Sequence, residues 1–390
     1  MPDLSRPLGD PAPRDGGHRA LSRGLGITRI ARLTGLDRTG VEVASAVRPD
    51  GHVLQVTNGK GFSFAEAARG AVMEAAELWA AERCQPALEG WSAEALRRSE
   101  GEGVLGPAAL EPELGDALEG LRLAWCAGRG LLGPDRAWVP FDAVACPPPG
   151  APLRPAFLRW TSSGMGAHPD PAGALLHALL EAVERDQLAR ALPEGFTEGD
   201  VARRLLDPAS LAAAAPGAAA LAASLAARGL RVHLLDLCPG LRRRGSDGPP
   251  PLDLGLPAAA AVLCDAPGGP VPVAAGYACR TTRDGALCAA LLEAAQSRAT
   301  EIHGAREDVV GGDRHAAAPL AWLLAAARPR REAARLPTLR PARPAALARA
   351  VLAGLSRAGL DRAVAVDLPA PAGVAVVKVL VPGLLLSELL

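Results

Sequence analysis

Three heptapeptides carry paired acidic or amide side chains at positions i and i+3: Ala71-Val72-Met73-Glu74-Ala75-Ala76-Glu77, Ala178-Leu179-Leu180-Glu181-Ala182-Val183-Glu184 and Ala290-Leu291-Leu292-Glu293-Ala294-Ala295-Gln296. Each is rich in Ala and Leu with no internal Gly or Pro, so each predicts a helix. On a helix the two polar groups of one copy share a side, about 5–6 Å apart at Cβ. Carboxylates held that close repel unless a cation or a proton lies between them. A solvated helix face is the ordinary explanation for any single copy. It gives no reason for Glu, Ala and Leu to return in the same order at intervals of roughly 110 residues, too long for a solenoid repeat. Convergence of the three helices on a magnesium-bound polyphosphate does.

Composition narrows the classes. Lys plus Arg and Asp plus Glu both total 42, leaving no global field to attract nucleic acid or an anionic membrane. Hydrophobic residues make up 49% and charged residues 22% of the 390, ordinary values for a soluble globular protein with room for one large fold or two to three domains. Among the basic residues only Lys60 and Lys378 are lysines, which makes both worth inspecting. Seven cysteines without a C-x-x-C pair read as reduced, mostly buried thiols of a cytoplasmic protein. No signal-like apolar run and no stretch near 18 apolar residues is present, so neither secretion nor membrane spanning is expected.

The elements that must position the acidic pairs are read in chain order. Residues 1–20 are a loose tail rich in Pro, Gly, Asp and Arg. Alternation over 27–33 and 41–47 predicts a hairpin. Thr57-Asn58-Gly59-Lys60-Gly61 reads as a flexible turn before a helix, either plain or phosphate-approaching, without Walker spacing. The first helix runs over about 63–83, with Ser63 as N-cap and Glu66 three residues on. Gly101 to Gly106 is formally G-x-G-x-x-G, but a polar helical stretch precedes it and Pro107 follows, which excludes a dinucleotide fingerprint. Thr161 to His168 is a small-residue loop, and Asp170 with Pro171 opens the second helix, to about 190. His168 and His177 read as loop or packing histidines. The third helix covers about 284–303, with Arg306 and Asp308 just beyond it. Strands are expected at 121–127, 137–140, 230–237, 258–264 and 374–381; Pro147-Pro148-Pro149-Gly150 punctuates the chain, and Arg242-Arg243-Arg244 is a solvated run or a contact for an acidic peptide. Residues 21–390 then form one domain with peripheral helical insertions at about 85–120, 200–228 and 313–345.

Leu33-Thr34-Gly35-Leu36-Asp37-Arg38, Asn58-Gly59-Lys60-Gly61, Glu181-x-x-Glu184-Arg185-Asp186, Glu293-x-x-Gln296-Ser297-Arg298 and Val381-Pro382-Gly383-Leu384 follow one another in that order. Together they resemble the YcaO family over about residues 24–385. The resemblance implies an α/β (α+β) fold of mixed or antiparallel sheets, with three related helices converging on a central nucleotide site. It implies an ATP- and magnesium-dependent enzyme acting on peptide backbone amides in ribosomal peptide modification, with Glu74, Glu77, Glu181 and Glu184 as magnesium ligands. Lys60, Ser162, Arg185, Gln296 and Arg298 would be the groups beside ATP. A precursor peptide and a homodimer belong to the same implication. Phosphorylating a backbone carbonyl oxygen while a nucleophile adds to its carbon asks for metal ions and positive charge, so the lack of a Ser-His-Asp or Cys-His constellation is expected.

The sequence also departs from the family pattern. Gly70 and Leu78 replace a usual Ser and Arg, and Pro169 and Gly173 a usual Asn and Glu, with Arg69, Arg83 and His168 nearby. These departures favour, as an alternative, a non-catalytic scaffold or peptide-binding partner with a degenerate nucleotide pocket. The missing alternating-Pro ending of azoline-forming members favours thioamidation or another amide modification over a cyclodehydratase. Glu77-Leu78-Trp79 is similar to members associated with TfuA-type partners.

Overall fold

Three strand-to-helix units recur along the chain, each built on a glycine-containing strand. The computed structural model describes residues 16–146, 158, 160–239, 251–265, 269–308 and 314–386. Most of the expected tail, Pro147-Pro148-Pro149-Gly150 and Arg242-Arg243-Arg244 lie outside them. The first sheet has the order β1 (Arg29–Arg32), β2 (Glu42–Val47), β3 (Val56–Gly61). The largest joins β4 (Leu88–Trp91), β5 (Leu123–Leu132), β6 (Arg136–Pro140) and β7 (Met165–His168) to two late strands, β11 and β12. The third sheet contains β8 (Arg231–Asp236), β9 (Ala258–Cys264) and β10 (Val273–Cys279) in the order β10-β9-β8. With β11 (Ala363–Leu368) and β12 (Ala375–Leu380), the largest sheet runs β4-β5-β11-β12-β7, β6 pairing with β5. All these ladders are antiparallel.

β3, β7 and β10 are all edge strands, and each leads within a few residues into one of the repeated helices: α1 (Phe64–Arg83), α2 (Pro171–Ala191) and, after α3 (Pro216–Ala227), α4 (Arg283–His303). The caps are those the sequence predicts: Ser63 Oγ accepts the Glu66 N–H at 3.3 Å, and Asp170 accepts that of Ala172 at 3.2 Å. Thr282 caps α4 in the same way, accepting from Gly285 at 3.2 Å.

Gly59, Gly166 and Gly276 sit within the three edge strands, and a β-carbon on any of them would collide with helix backbone, at Ala67 and Ala71, Ala174 and Ala178, or Ala290 and Ala294. Glycine facing alanine thus lets each helix lie directly on its strand. The same residues explain two corrections: Thr57 to Gly61 forms a strand rather than a turn, and Met165 to His168 a strand rather than a loop. Small residues lack the alternation and β-propensity that announce a strand, and the helix packed against them supplies the missing burial.

The units close into a ring, since α1 also touches β7, α2 touches β10 and α4 touches β3. α1 shares its core with Ala44, Ala46, Val364 and Val376, whereas α4 packs with Ala259, Ala261 and Leu263. Between them α2 packs on Val377, Val379, Ala258 and Val262, bridging the second and third sheets. Around 101–106 a short helix, Ala93–Glu100, leads into a 3-10 turn, so no dinucleotide-type strand-turn-helix forms. Beyond the helix Arg314–Ala326 the chain is largely irregular up to α5 (Pro344–Arg357). Among the described residues no cysteine forms a disulfide, and no helix is long and apolar enough to cross a membrane.

Candidate functional site

An edge strand presents N–H groups that no neighbouring strand accepts. Four of them donate to the repeated glutamates. Asn58 N–H donates to Glu74 Oε2 at 3.0 Å and Ala167 N–H to Glu77 Oε1 at 2.8 Å. Cys279 N–H donates to Glu184 Oε2 at 2.9 Å and Tyr277 N–H to Glu293 Oε1 at 3.3 Å. Glu74 and Glu293 reach the strand preceding their own helix, while Glu77 and Glu184 reach the strand of the next unit, so the helix pairs point inward around one ring. The remaining glutamate, Glu181, faces the others electrostatically: burial raises all three carboxyls, with Glu181 adding to Glu74 and Glu77 and Glu293 adding to Glu181. Three separately solvated helix faces are thereby ruled out.

Cations stand at every seam. Lys60 Nζ lies 2.7 Å from Glu293 Oε2, between α4 and β3. Arg185 donates to Glu181 at 3.2 Å and lies 3.9 Å from Glu184, whose other oxygen is 3.7 Å from Arg280. Arg306 comes within 3.7 Å of Glu74. They do not offset burial at every glutamate. Burial pushes Glu184 up to about 7 with Glu293 adding to the shift, and burial with Glu181 and Glu74 holds Glu77 well above the usual carboxylate range. Glu293 is the exception: burial raises it, but Lys60, Arg185 and the Tyr277 N–H together hold it below the ordinary value. Burial also lowers Lys378 to about 8 against the pull of Glu181 and Glu77.

This donor set fits a metal-bound polyphosphate. Carboxylates crowded into a desolvated ring favour divalent cations. Among the described residues no group of three or more His, Cys, Asp or Glu could hold a metal ion by itself; magnesium commonly takes one or two protein carboxylates and completes its shell with phosphate oxygens and water. Arg185 Nη1 is buried without a hydrogen-bond partner, a cationic donor left for an anion.

Most of the residues singled out in the sequence meet here: Glu74, Glu77, Glu181, Glu184, Lys60 and Arg185 share the ring. Gln296 is half-buried one turn beyond Glu293 on α4, and Ser162 is exposed in the turn before β7. Arg298 does not join them. It is fully buried, pairs with Asp37 at 2.9 Å and Asp265 at 2.6 Å, and donates to the Val271 carbonyl, so its guanidinium is committed to the scaffold.

The departures acquire physical reasons. A β-carbon at Gly70 would approach Gly59 Cα to 3.3 Å, so glycine there preserves the contact of α1 with β3. At Gly173 a β-carbon would strike the His168 imidazole, whose Nδ1 accepts the Asp170 N–H at 2.9 Å. Leu78 is buried and Pro169 exposed. Of the cationic substitutes, Arg83 stacks on Trp79 at 4.3 Å and Arg69 is exposed. His177 is exposed on α2, near Arg280, Lys60 and His168. Sequence reasoning left Glu293, Arg280, Arg306 and Lys378 unassigned, although the third echo and the scarcity of lysine pointed to the first and last.

Comparisons with known proteins agree with this geometry. The family model described as YcaO cyclodehydratase, ATP- and Mg2+-binding, matches residues 58–385. An uncharacterised protein from the tfuA 3' region of Rhizobium leguminosarum is 31% identical over 299 residues, covering 73% of this chain and 65% of that protein, just under two thirds of its length. An uncharacterised Mycobacterium tuberculosis protein is 32% identical over 382 residues, covering 93% and 79%. Among solved structures, YcaO from Methanopyrus kandleri bound with AMPPCP and Mg2+ superimposes with a TM-score of 0.70 at 22% identity, covering 94% of this chain and 88% of that one. A heterocyclase in complex with substrate and cofactor gives 0.71 at 18% identity, covering 98% and 55%. At these identities the structural likeness speaks for the fold alone.

Proposed function

Since the chain belongs to the YcaO family, we propose that it is an ATP- and magnesium-dependent enzyme that activates peptide backbone amides by phosphorylation of the amide oxygen, in thioamidation or a related ribosomal peptide modification. The observation that carries this reading is a ring of partly buried carboxylates in which burial and neighbouring glutamates raise Glu77 and Glu184, beside the unpartnered Arg185 Nη1. In it Glu74, Glu77, Glu181 and Glu184 hold magnesium, joined by Glu293, while Lys60, Arg185, Ser162 and Gln296 face the phosphates. ATP supplies the phosphoryl group that turns a poor leaving oxygen into a good one, and magnesium neutralises charge as it transfers. The protein's own part is to hold the carboxylates on edge-strand N–H groups and to set guanidinium and ammonium charge around the transferring group. Arg298 braces the scaffold.

The substrate class is a precursor peptide, and the partner a TfuA-like protein, supported by the Rhizobium relative named for its place beside tfuA. A homodimer and a cytoplasmic location go with the same reading. Isothermal titration with ATP and magnesium tests it. Wild type should bind, and the double variant Glu181→Gln with Glu184→Gln should lose about a hundredfold in affinity, roughly 1.4 kcal/mol for each charge-assisted ligand. A wild type that binds no nucleotide would instead favour the scaffold with a degenerate pocket.

A further inference from the structure

The charges of this chain cancel overall, 42 against 42, yet they are not evenly spread. From Arg328 to Arg349 the sequence has seven arginines and a single carboxylate, Glu332. Among the described residues Arg331 alone of the seven is paired, its Nε 2.8 Å from Asp236. Arg328, Arg330, Arg335, Arg340, Arg343 and Arg349 are exposed, with no carboxylate at ion-pair distance among the described residues.

The backbone that carries them is tied to the body of the fold. The Arg331 carbonyl accepts the Asp207 N–H at 2.7 Å, Ser210 Oγ accepts the Ala333 N–H at 2.9 Å, and Arg283 Nε donates to the Leu336 carbonyl at 2.9 Å. Leu339 N–H then donates to the Thr281 carbonyl at 2.8 Å before the chain enters α5. The arginines therefore stand on a held ridge, and a partner need not pay to order its backbone. Thr281 adjoins Arg280, which comes within 3.7 Å of Glu184, so the ridge is joined to the carboxylate ring through one residue.

Like charges gathered on an exposed ridge repel, and a polyanion relieves the repulsion. The local composition selects among polyanions. No Phe, Trp or Tyr occurs from 328 to 349, so nucleic-acid bases would find no aromatic face to stack on. The leucines of the stretch are buried or half-buried, which leaves no apolar face to enter a lipid surface. Carboxylates suit the guanidinium fork, which takes them through two parallel N–H···O bonds. We propose that this ridge is a docking track for an acidic peptide, holding Asp or Glu side chains of the precursor while another part of the same peptide enters the ring. Naming the precursor as that peptide rests on the reading of the ring as a site of amide activation.

Fluorescence anisotropy with a fluorescein-labelled peptide of alternating Glu and Ser tests the track without nucleotide or metal. Wild type should bind it and should not bind the Gln-Ser counterpart. The quadruple variant Arg328→Gln, Arg330→Gln, Arg335→Gln and Arg340→Gln should bind about thirtyfold more weakly, roughly a factor of two to three for each exposed pair. Raising salt from about 50 to about 500 mM should weaken wild type about tenfold. A control that loses four exposed arginines elsewhere, Arg23→Gln, Arg29→Gln, Arg98→Gln and Arg122→Gln, should bind as wild type does. Equal losses in the two variants, equal binding of the Gln-Ser peptide, or tighter binding of an oligothymidylate of the same charge overturns the proposal.

Binding of ATP with magnesium should be unchanged in the first variant, and a loss there also overturns it. A wild type that binds ATP with magnesium but not the acidic peptide defeats the track alone. One that binds the peptide but no nucleotide defeats the proposed enzyme and leaves the track standing on a scaffold.

Discussion

Glu82 and Glu77 stand on the same helix, yet they are held in opposite electrostatic states. Both oxygens of Glu82 accept from Arg48 at 2.6 Å and one also takes the His52 N–H, so although burial pushes the carboxyl up, Arg48 brings it below the ordinary value. Glu77 has one backbone N–H, and burial with two neighbouring carboxylates holds it far above that value. The Arg298 cluster repeats the first pattern, its guanidinium matched by Asp37, Asp265 and a carbonyl. Buried charge paired to completion is scaffold, because removing either partner strands the other. A carboxylate whose burial and like-charged neighbours its hydrogen bonds do not offset is destabilising unless a proton or a ligand arrives, which is the electrostatic mark of a site.

The contrast breaks or sharpens under substitution. Glu82→Gln strands the Arg48 guanidinium and should cost about 3–5 kcal/mol in urea denaturation, whereas Glu77→Gln in chelator should cost nothing or add stability. Equal losses from the two would erase the distinction drawn between them. Gly276→Ala, which pushes a methyl into the backbone of α4, should cost about 1–3 kcal/mol and weaken nucleotide binding through displacement of Glu293.

The smallest effect is on pH dependence. In the folded apo chain Glu184 keeps its proton to about pH 7, against 4.5 unfolded, so the folded state binds more protons in that window. Its stabilising contribution is whole below pH 4.5 and lost as pH rises through 7. The Tm measured in chelator should fall across that range by a few degrees, and Glu184→Gln should flatten the fall; a slope unchanged in Glu184→Gln would show that the proton sits elsewhere.

How legible the molecule was depends on how local each signal is. The three helices, their caps and the glutamate pairs were readable because helix propensity, capping and i to i+3 spacing are all settled within a turn or two. β3 and β7 were not, since Gly59 and Gly166 remove the alternation that marks a strand while making the close helix contact that stabilises it. Arg298 was misjudged for a related reason. Its motif neighbour Gln296 lies near the ring, but Asp37 and Asp265, which claim the guanidinium, are distant in sequence.

By itself, then, the amino-acid order determined which helices form, which positions on them carry paired acids, and that lysine occurs at only two places. Only the tertiary structure decided that five carboxylates share one partly buried ring, that three edge strands hold four of them, and that Lys378 is buried against the Thr161 and Ser163 carbonyls. The reason is the range of the forces involved. Propensity and capping act within a few residues, whereas the state of a buried charge depends on every group within electrostatic reach, and chain folding alone brings positions 74, 181 and 293 together.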